Sequence, residues 1–269
     1  MGRGLNHIVH AVRDLDEAVV LYRGLGFTVG ARNKHPWGTH NHIVQMPGFF
    51  IELLTLAEPD KLGSDGFSQL FGVYTGDFLK RSEGLSLLIL ESQDAGADAA
   101  AFHAGKIAAS EKMRFDREGR RPDGTPVKVG FSLAFAQDET AQDIRFAVCQ
   151  QHYPENFWNP AFWEHANGVE GIAGAVLVAD EPARHRDFLL VFSGAPTASD
   201  TGDDFTIDLP RGAVDVLTPG AFTGRYDVAA PDMSRGLRLA ALRFVTDAKK
   251  ATQQPISTVL GAVLVFEPR

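Results

Sequence analysis

Apolar stretches that open with a glycine recur four times along the chain and give its hydrophobic pattern a clear repeat. They begin at Gly4 (GLNHIVHAV), Gly84 (GLSLLILES), Gly168 (GVEGIAGAV) and Gly236 (GLRLAALRF), with starts 80, 84 and 68 residues apart. Each continues for several residues as an apolar or alternating run, which predicts a β-strand. Self-similarity at this spacing indicates an internally repeated fold unit.

A helix signal follows each of these strands. Asp14 stands before the first helical stretch with Glu17 three residues later, the pattern of an N-cap followed by an acid in the first turn. Pro182 lies where a proline is favoured, in the first turn of the third helix. An Ala-rich segment follows the second strand, and Asp247 precedes a short helix after the fourth. Strand and helix therefore alternate in register in all four repeats.

The ends of the repeats also match. The segment FFIELLTL after Gly48 resembles AVDVLTP after Gly212 and AVLVFEP after Gly261, and RFAVCQQH occupies that place in the second repeat. With further strand candidates between helix and last strand, each unit reads βαβββ. One such unit leaves an apolar face open, so two must pair into a curved half-barrel that encloses a cleft. The sequence predicts an α+β fold of four βαβββ modules, the last one degenerate. Residues 1–160 should form a two-module domain and 165–269 a second half.

Composition limits the classes of function. Hydrophobic residues make up 44% and charged residues 22% of the chain, as in folded globular proteins. The net charge of −8 disfavours nucleic acid as a partner. The mixed-charge stretch 114–121 is interpreted as a solvated loop. One cysteine, Cys149, cannot form an internal disulfide, and no apolar run reaches membrane-spanning length. We expect a cytoplasmic protein that binds a small molecule and does not associate with a membrane. The sequence leaves open whether the chain forms a homodimer.

At this point the sequence resembles a known family. The opening LNHIVHAVRDLDEAVVLYRGLGFTVG resembles glyoxalase, bleomycin-resistance and extradiol-dioxygenase modules of the vicinal-oxygen-chelate superfamily. The segments HPWGTHN at His35, FIELL at Phe50 and QHYPENFW at Gln151 resemble its glyoxalase-like proteins. The resemblance covers residues 4–165 well and the remainder more weakly. It implies a divalent metal in the cleft between paired modules, held by residues of the first and last strand of each module.

The metal-ligand positions are filled in the first repeat alone. The first-strand position is His7 and the last-strand position is Glu52, and imidazole and carboxylate suit Fe, Mn, Ni or Zn. Glu52 could also serve as general base. The counterparts of His7 are Leu87, Gly171 and Leu239, and those of Glu52 lie near Val148, Asp215 and Leu264. The second repeat therefore lacks both ligand types.

A third metal ligand and the substrate contacts are less defined. His152 has the strand parity of Val148 but lies four residues beyond it, so that it reaches the site only through a bend. Gln150 is nearer and could donate a hydrogen bond to substrate, with Cys149 buried on the opposite strand face. In the hairpin before Glu52, a two-residue Pro47–Gly48 loop would place Asn41 on the face of Glu52. A three-residue loop would place His40 and His42 there instead.

Three classes of function remain open from the sequence. The first is a metal-dependent enzyme acting on a small oxygen-bearing metabolite, as a lyase, isomerase or dioxygenase, with His7, Glu52 and His152 on the metal. The second is a metal-free protein that binds or sequesters a small molecule, as bleomycin-resistance proteins do. The third is a structural or interaction role. Convergence of His7 and Glu52 with a third ligand separates the first two.

Overall fold

The computed structural model of the chain describes residues 2–120, 124–251, 253 and 255–269. The first module has the predicted βαβββ order, and Asp14 caps its helix by accepting hydrogen bonds from the backbone N–H groups of Asp16 and Glu17. Its elements are β1 (Leu5–Ala11), α1 (Leu15–Gly24), β2 (Asn33–Lys34), β3 (Thr39–Met46) and β4 (Phe49–Leu56).

An insertion that the repeat pattern does not contain joins the first module to the second. It consists of a 3₁₀ turn (Pro59–Lys61), a π-helix (Ser68–Val73) and the helix α2 (Tyr74–Arg81). Phe67, Phe71, Tyr74 and Phe78 turn inward and cover the concave face of the sheet formed by the first two modules. π-Helical turns are rare and are often found at functional sites.

The second module adds one extra strand to the predicted order. Its elements are β5 (Gly84–Glu91), α3 (Ala95–Ala104), β6 (Ala108–Ala109), β7 (Met113–Arg120), β8 (Pro126–Gln137) and β9 (Arg145–Gln151). The segment that we interpreted as a solvated loop is thus mostly strand β7, which pairs with β8 in an antiparallel hairpin. A short helix, α4 (Pro154–Phe157), and a 3₁₀ turn (Pro160–Phe162) lead to the third module.

The third and fourth modules repeat the pattern, and the fourth is shortened as expected. The third has β10 (Val169–Val178), α5 (Arg186–Ser193), β11 (Ser199–Thr201), β12 (Asp204–Asp208) and β13 (Ala213–Leu217), followed by α6 (Pro219–Tyr226). The fourth has β14 (Arg238–Thr246), α7 (Ala248–Ala251), β15 (Ile256–Val259) and β16 (Ala262–Pro268). Its described residues form one strand fewer than the full set.

Within the described residues the strands form two open, curved sheets, one for each pair of modules. The first has the order β2-β3-β4-β1-β5-β9-β8-β6 with β7 on β8, and the second has β11-β12-β13-β10-β14-β16-β15. In each module the first strand pairs in parallel with the last, and the two first strands of a pair meet antiparallel. The α+β fold of paired βαβββ modules is confirmed.

A single apolar core joins the two sheets. It contains Ile8 and Ile51 from the first sheet and Leu177 and Phe244 from the second, all fully buried. Each sheet has in addition its own apolar cluster on the other, concave face. Because the central core is shared, the division into domains 1–160 and 165–269 stays a prediction. None of the described helices is both long and apolar enough to cross a membrane.

Candidate functional site

The concave face of the first sheet bounds a cavity with mostly apolar walls, and concave, mostly apolar pockets are the usual sites for small molecules. Its walls are aromatic, and a small set of polar side chains faces inward. The polar side chains are His7, His35, Asn41, Glu52, Arg117 and Cys149. We call this cavity the first cleft.

The hairpin between β3 and β4 determines which polar residues reach Glu52. Met46 pairs with Phe49 and Ile43 with Glu52, so the connecting loop has the two residues Pro47 and Gly48. This register places Asn41 on the face of Glu52, and its side-chain amide donates a 2.5 Å hydrogen bond to Oε1 of Glu52. The predicted alternative in which His40 and His42 line the cleft is excluded by this register.

Glu52 is a buried carboxyl with a shifted pKa. Its side chain lies among apolar walls and is about 5% exposed. Burial disfavours the charged form and raises the pKa of Glu52 to about 7, although the Asn41 hydrogen bond and the positive charge of Arg117 lower it. A carboxyl with a pKa near neutrality exchanges a proton readily at physiological pH, as a general acid or base requires.

His7 lies beside Glu52 in the first cleft without contacting it. Its ring stacks on Phe50, with ring centroids 4.2 Å apart. Nδ1 lies 2.7 Å from the acceptor Oδ1 of Asn6, which assigns the ring proton to Nδ1 and leaves Nε2 as an acceptor. Burial lowers the pKa of His7 to about 3, so the ring is neutral at pH 7.

His35 approaches Glu52 from the loop before β3. Its Nε2 lies 3.9 Å from Oε1 of Glu52, while Nδ1 lies 2.8 Å from Oγ1 of Thr39. The ring stacks on Trp37 at 4.6 Å, and burial lowers the pKa of His35 to about 3. His35 is thus a neutral ring near Glu52, and not a cation that neutralises it.

Arg117 supplies positive charge to the first cleft, which the sequence interpretation missed. Strand alternation along β7 turns Phe115 and Arg117 toward the cleft, while Arg114 and Asp116 pair with each other on the outer face. Burial lowers the pKa of Arg117, and the charge of Glu52 raises it. A signal was present in the alternation of Met113, Phe115 and Arg117 with charged residues.

A one-residue shift on β9 corrects the prediction for Gln150. The side chain of Val148 packs into the central core, and Cys149 faces the cleft. Gln150 therefore points away, where its amide nitrogen donates to the backbone oxygen of Gln93 and its oxygen accepts from the N–H of Ala95. Burial raises the pKa of the Cys149 thiol, which keeps it protonated. In a strand, a shift by one residue exchanges the two faces.

Because of the same shift, His152, the predicted third metal ligand, does not line the first cleft. Its Nε2 lies 2.7 Å from Oγ of Ser132, and its charged surroundings include Arg114 and Asp116 on the outer face of β7. His42, a predicted substrate contact, also lies elsewhere, with Nδ1 2.7 Å from the backbone oxygen of Gly30. Of the predicted site residues, the fold brings together His7, Asn41 and Glu52.

The side chains of the first cleft do not fit a divalent metal. Ile8 pairs with Leu88 between the two modules, so Leu87 corresponds to His7 and Ala147 corresponds to Glu52. Both are fully buried apolar residues without a donor atom. Among the described residues, no group of three or more His, Cys, Asp or Glu side chains could hold a metal ion. Metal sites of the expected type need at least three protein ligands.

In the second sheet, an arginine lies between the two residues that correspond to His7 and Glu52. Asp215 pairs with Val176 as Glu52 pairs with Val9, and Gly174 corresponds to His7. The residue of the third module that corresponds to His7 is therefore Gly174, and not Gly171 as predicted from the sequence. Nη1 of Arg243 donates to Asp215 at 2.5 Å, and its Nε donates to Glu267 at 2.6 Å. A Cβ at Gly174 would lie 2.9 Å from the backbone oxygen of Ala213 and 3.3 Å from Nη1 of Arg243, so the absence of a side chain lets both atoms approach.

Two paired βαβββ modules around a concave cleft define a module of the vicinal-oxygen-chelate type. A family model described as a glyoxalase-like domain matches residues 5–190. The chain therefore belongs to the glyoxalase-like domain family. No curated protein matches the chain by sequence.

Solved structures share this fold at low sequence identity. A hypothetical protein from Staphylococcus aureus is 15% identical with a TM-score of 0.72, over 99% of this chain and 100% of that one. A mutant of 4-hydroxymandelate synthase from Streptomyces coelicolor is 12% identical with a TM-score of 0.56, over 95% and 76%. Methylmalonyl-CoA epimerase from Mycobacterium tuberculosis is 18% identical with a TM-score of 0.37, over 55% and 87%. At these identities the likeness concerns the fold alone.

Proposed function

We propose that the protein is an enzyme that moves a proton on a small oxygen-bearing metabolite, with Glu52 as the acid–base group. The observation that carries this proposal is the buried Glu52 carboxyl in the first cleft, whose pKa is raised to about 7. Burying a carboxyl in an apolar cleft lowers the stability of the fold. Carboxyls whose pKa is strongly shifted in this way cluster at catalytic sites. A named enzyme, a synthase, shares the fold, which supports an enzyme in general.

The proposed reaction uses the chain's own residues. The ionised Glu52 removes a proton from the carbon next to a carbonyl group, and the electron pair of the C–H bond moves to the carbonyl oxygen as an enolate. Arg117 lies on the cleft wall close enough for its charge to act on Glu52, and the same positive charge stabilises the enolate oxygen. Return of the proton, to the same or the opposite face, completes an isomerisation.

Proton transfer is favoured over dioxygenase chemistry by the donor set of the first cleft. Leu87 and Ala147 stand where further metal ligands would be needed, so His7 and Glu52 would have to hold a metal by themselves. The neutral rings of His7 and His35 and the amide of Asn41 instead surround a carboxyl that can titrate. Isomerase and lyase reactions that start with proton removal therefore suit this cleft better.

The test is solvent deuterium exchange. A panel of aldehydes, ketones, 2-oxo acids and thioesters is incubated with the protein in D₂O, and loss of the proton signal next to the carbonyl is followed by NMR. We expect exchange on at least one compound class, reduced by about 10²-fold or more in Glu52→Gln, since general acid–base groups contribute about 10²–10⁴-fold. Equal rates for the wild type, Glu52→Gln and a blank contradict the proposal.

A metal-free binding or sequestering protein is the second candidate. It is favoured by the aromatic walls, in which Trp37 stacks on Phe67 at 4.8 Å and Phe131 meets Phe157 edge-on at 5.5 Å. Such walls bind flat apolar molecules without any chemistry. Tight binding of a compound by wild type and Glu52→Gln alike, without exchange, would favour this alternative.

A further inference from the structure

Among the residues that the structure describes, Arg117 is a positive charge without a negative partner. Its guanidinium lines the first cleft, and its hydrogen bond is a long one, 3.4 Å from Nη1 to the backbone oxygen of the neighbouring Glu118. No carboxylate in the described part of the chain lies within ion-pair distance of it, although most other arginines there pair with one, such as Arg243 with Asp215. Arg117 is partly buried, and an unpaired guanidinium loses hydration in such a place unless an anion joins it.

Glu52 does not neutralise Arg117. Burial keeps the Glu52 carboxyl partly protonated at pH 7, because its pKa is about 7. The two side chains face the same cavity and influence each other's titration, yet they form no ion pair. Both side chains line the first cleft, so a ligand that enters the space beside them lies near both.

The remaining wall of this space is aromatic. Phe115 is Arg117's neighbour on the same strand face, and its ring centroid lies 5.1 Å from that of Trp37 and 6.2 Å from that of Phe131. Rings at these distances contact one another and form a continuous aromatic wall, against which another aromatic ring packs favourably. Apolar side chains make up most of the cavity lining, which suits a ring that carries a short charged side chain.

We propose that the ligand of the first cleft is a small aryl-bearing carboxylate, whose ring lies against Phe115 and Trp37 and whose carboxylate pairs with Arg117. This assignment of a substrate class rests on the proposed function, because it concerns the same site. The planar guanidinium has five N–H donors, so it can hold a carboxylate through two of them and still face the reacting oxygen. The position of Glu52 across the space places the acid–base group beside the carbon chain of such a ligand.

Binding of matched small molecules tests the proposal. Benzoate, phenylacetate and 3-phenylpropanoate are titrated by calorimetry against phenylacetamide, which keeps the ring without the charge, and cyclohexylacetate, which keeps the charge without the aromatic ring. We expect the best aryl carboxylate to bind about tenfold or more tightly than either control compound. Arg117→Met should abolish the preference for acid over amide, and Phe115→Leu the preference for phenyl over cyclohexyl.

Lys112→Met is the matched control variant, because Lys112 is an exposed cation in the same half of the chain outside the cleft. It should leave both preferences intact, and thermal melts show that each variant is folded. Equal affinity for acid and amide, retention of the preference in Arg117→Met, or no binding of any aryl carboxylate overturns the proposal.

The exchange assay separates this inference from the proposed catalysis. Arginine-dependent binding of aryl carboxylates without deuterium exchange on any compound leaves the inference standing and contradicts the catalytic role. Exchange that is lost in Glu52→Gln, together with equal affinity of the wild type for acid and amide, leaves the catalytic role of Glu52 standing and overturns the inference.

Discussion

The side-chain amide of Asn41 donates a hydrogen bond of 2.5 Å to Oε1 of Glu52 on the adjacent strand. Asn41 is itself held from the other side, where its Oδ1 accepts a hydrogen bond of 3.0 Å from Asn33. The donor stabilises the ionised form of Glu52 and opposes the effect of burial. The hydrogen bond and the burial together give Glu52 a pKa near neutral pH. The predictions on stability and on the pH dependence of exchange depend on this pKa.

Glu52→Gln should stabilise the protein at alkaline pH. The folded pKa of Glu52, about 7, is above its ordinary value of 4.5. The folded state therefore holds the proton more tightly, and its stability falls as pH rises from about 4.5 to 7. At pH 8 the variant should be more stable by roughly 3 kcal/mol, at about 1.4 kcal/mol per pKa unit, and near pH 4.5 the gain should vanish. Urea unfolding at both pH values measures this.

The matched control for that experiment is Glu139→Gln, at an exposed glutamate outside the cleft. It should leave the unfolding free energy unchanged within about 0.5 kcal/mol at both pH values. A wild type that is more stable than Glu52→Gln at pH 8 would contradict the raised pKa of Glu52.

Asn41→Leu should shift the pH dependence of proton exchange to higher pH. The ionised form of Glu52 is the base, so the rate rises with pH through its pKa of about 7. Removing the Asn41 donor raises that pKa further and moves the midpoint upward. Measuring kcat/KM against pH detects the shift. Asn33→Ala, which only loosens Asn41, should cause a smaller one, and an unchanged midpoint in Asn41→Leu would refute the assignment of the titrating group.

The protein should carry no stoichiometric divalent metal in the first cleft. Two protein ligands, His7 and Glu52, hold a divalent ion weakly compared with the three or four of a protein metal site. Elemental analysis after purification should give much less than one Fe, Mn, Ni or Zn per chain, and a chelator should leave the melting temperature unchanged. One bound metal per chain, lost in His7→Ala, would contradict this prediction and support the metal-dependent enzyme of the sequence analysis.

His152→Gln should leave binding and exchange within about twofold of wild type. Its ring bonds to Ser132 and lies outside the first cleft. His7→Gln alters the surface on which Phe50 stacks and should weaken ligand binding by roughly tenfold. Parallel titrations with phenylacetate compare the two variants. A loss in His152→Gln as large as that in His7→Gln would mean that His152 turns into the cleft when ligand binds.

Arg243→Met should strongly destabilise the second sheet, because it leaves the carboxylate of Asp215, about 2% exposed, without its closest cation. Removing one partner of a buried ion pair costs about 3–5 kcal/mol. Arg225→Met, which removes a contact of 3.5 Å on a more exposed side chain, should cost much less. Thermal and urea unfolding measure both. If both variants lose equally little stability, Arg243 is not the cation that neutralises Asp215 in the second sheet.

The repeat was readable from the sequence because it depends on local properties. Alternating or continuous apolar runs at Leu5, Gly84, Val169 and Arg238 predicted the four first strands, and the acid at Asp14 predicted the start of α1. Both signals act within a few residues along the chain. The insertion with the π-helix was missed, since it follows no repeat and its aromatic residues have meaning only against the concave sheet.

The sequence by itself determined the four modules, their degenerate end and the placing of His7 on the first strand and Glu52 on the last strand of the first module, because strand periodicity and helix caps act within a few residues along the chain. Tertiary structure decided which faces meet. The two-residue hairpin brought Asn41 to Glu52, the register of β9 turned Cys149 inward in place of Gln150, and β7 carried Arg117 into the cleft. A strand reverses every side chain on a shift of one residue, and only packing against the rest of the molecule fixes that choice.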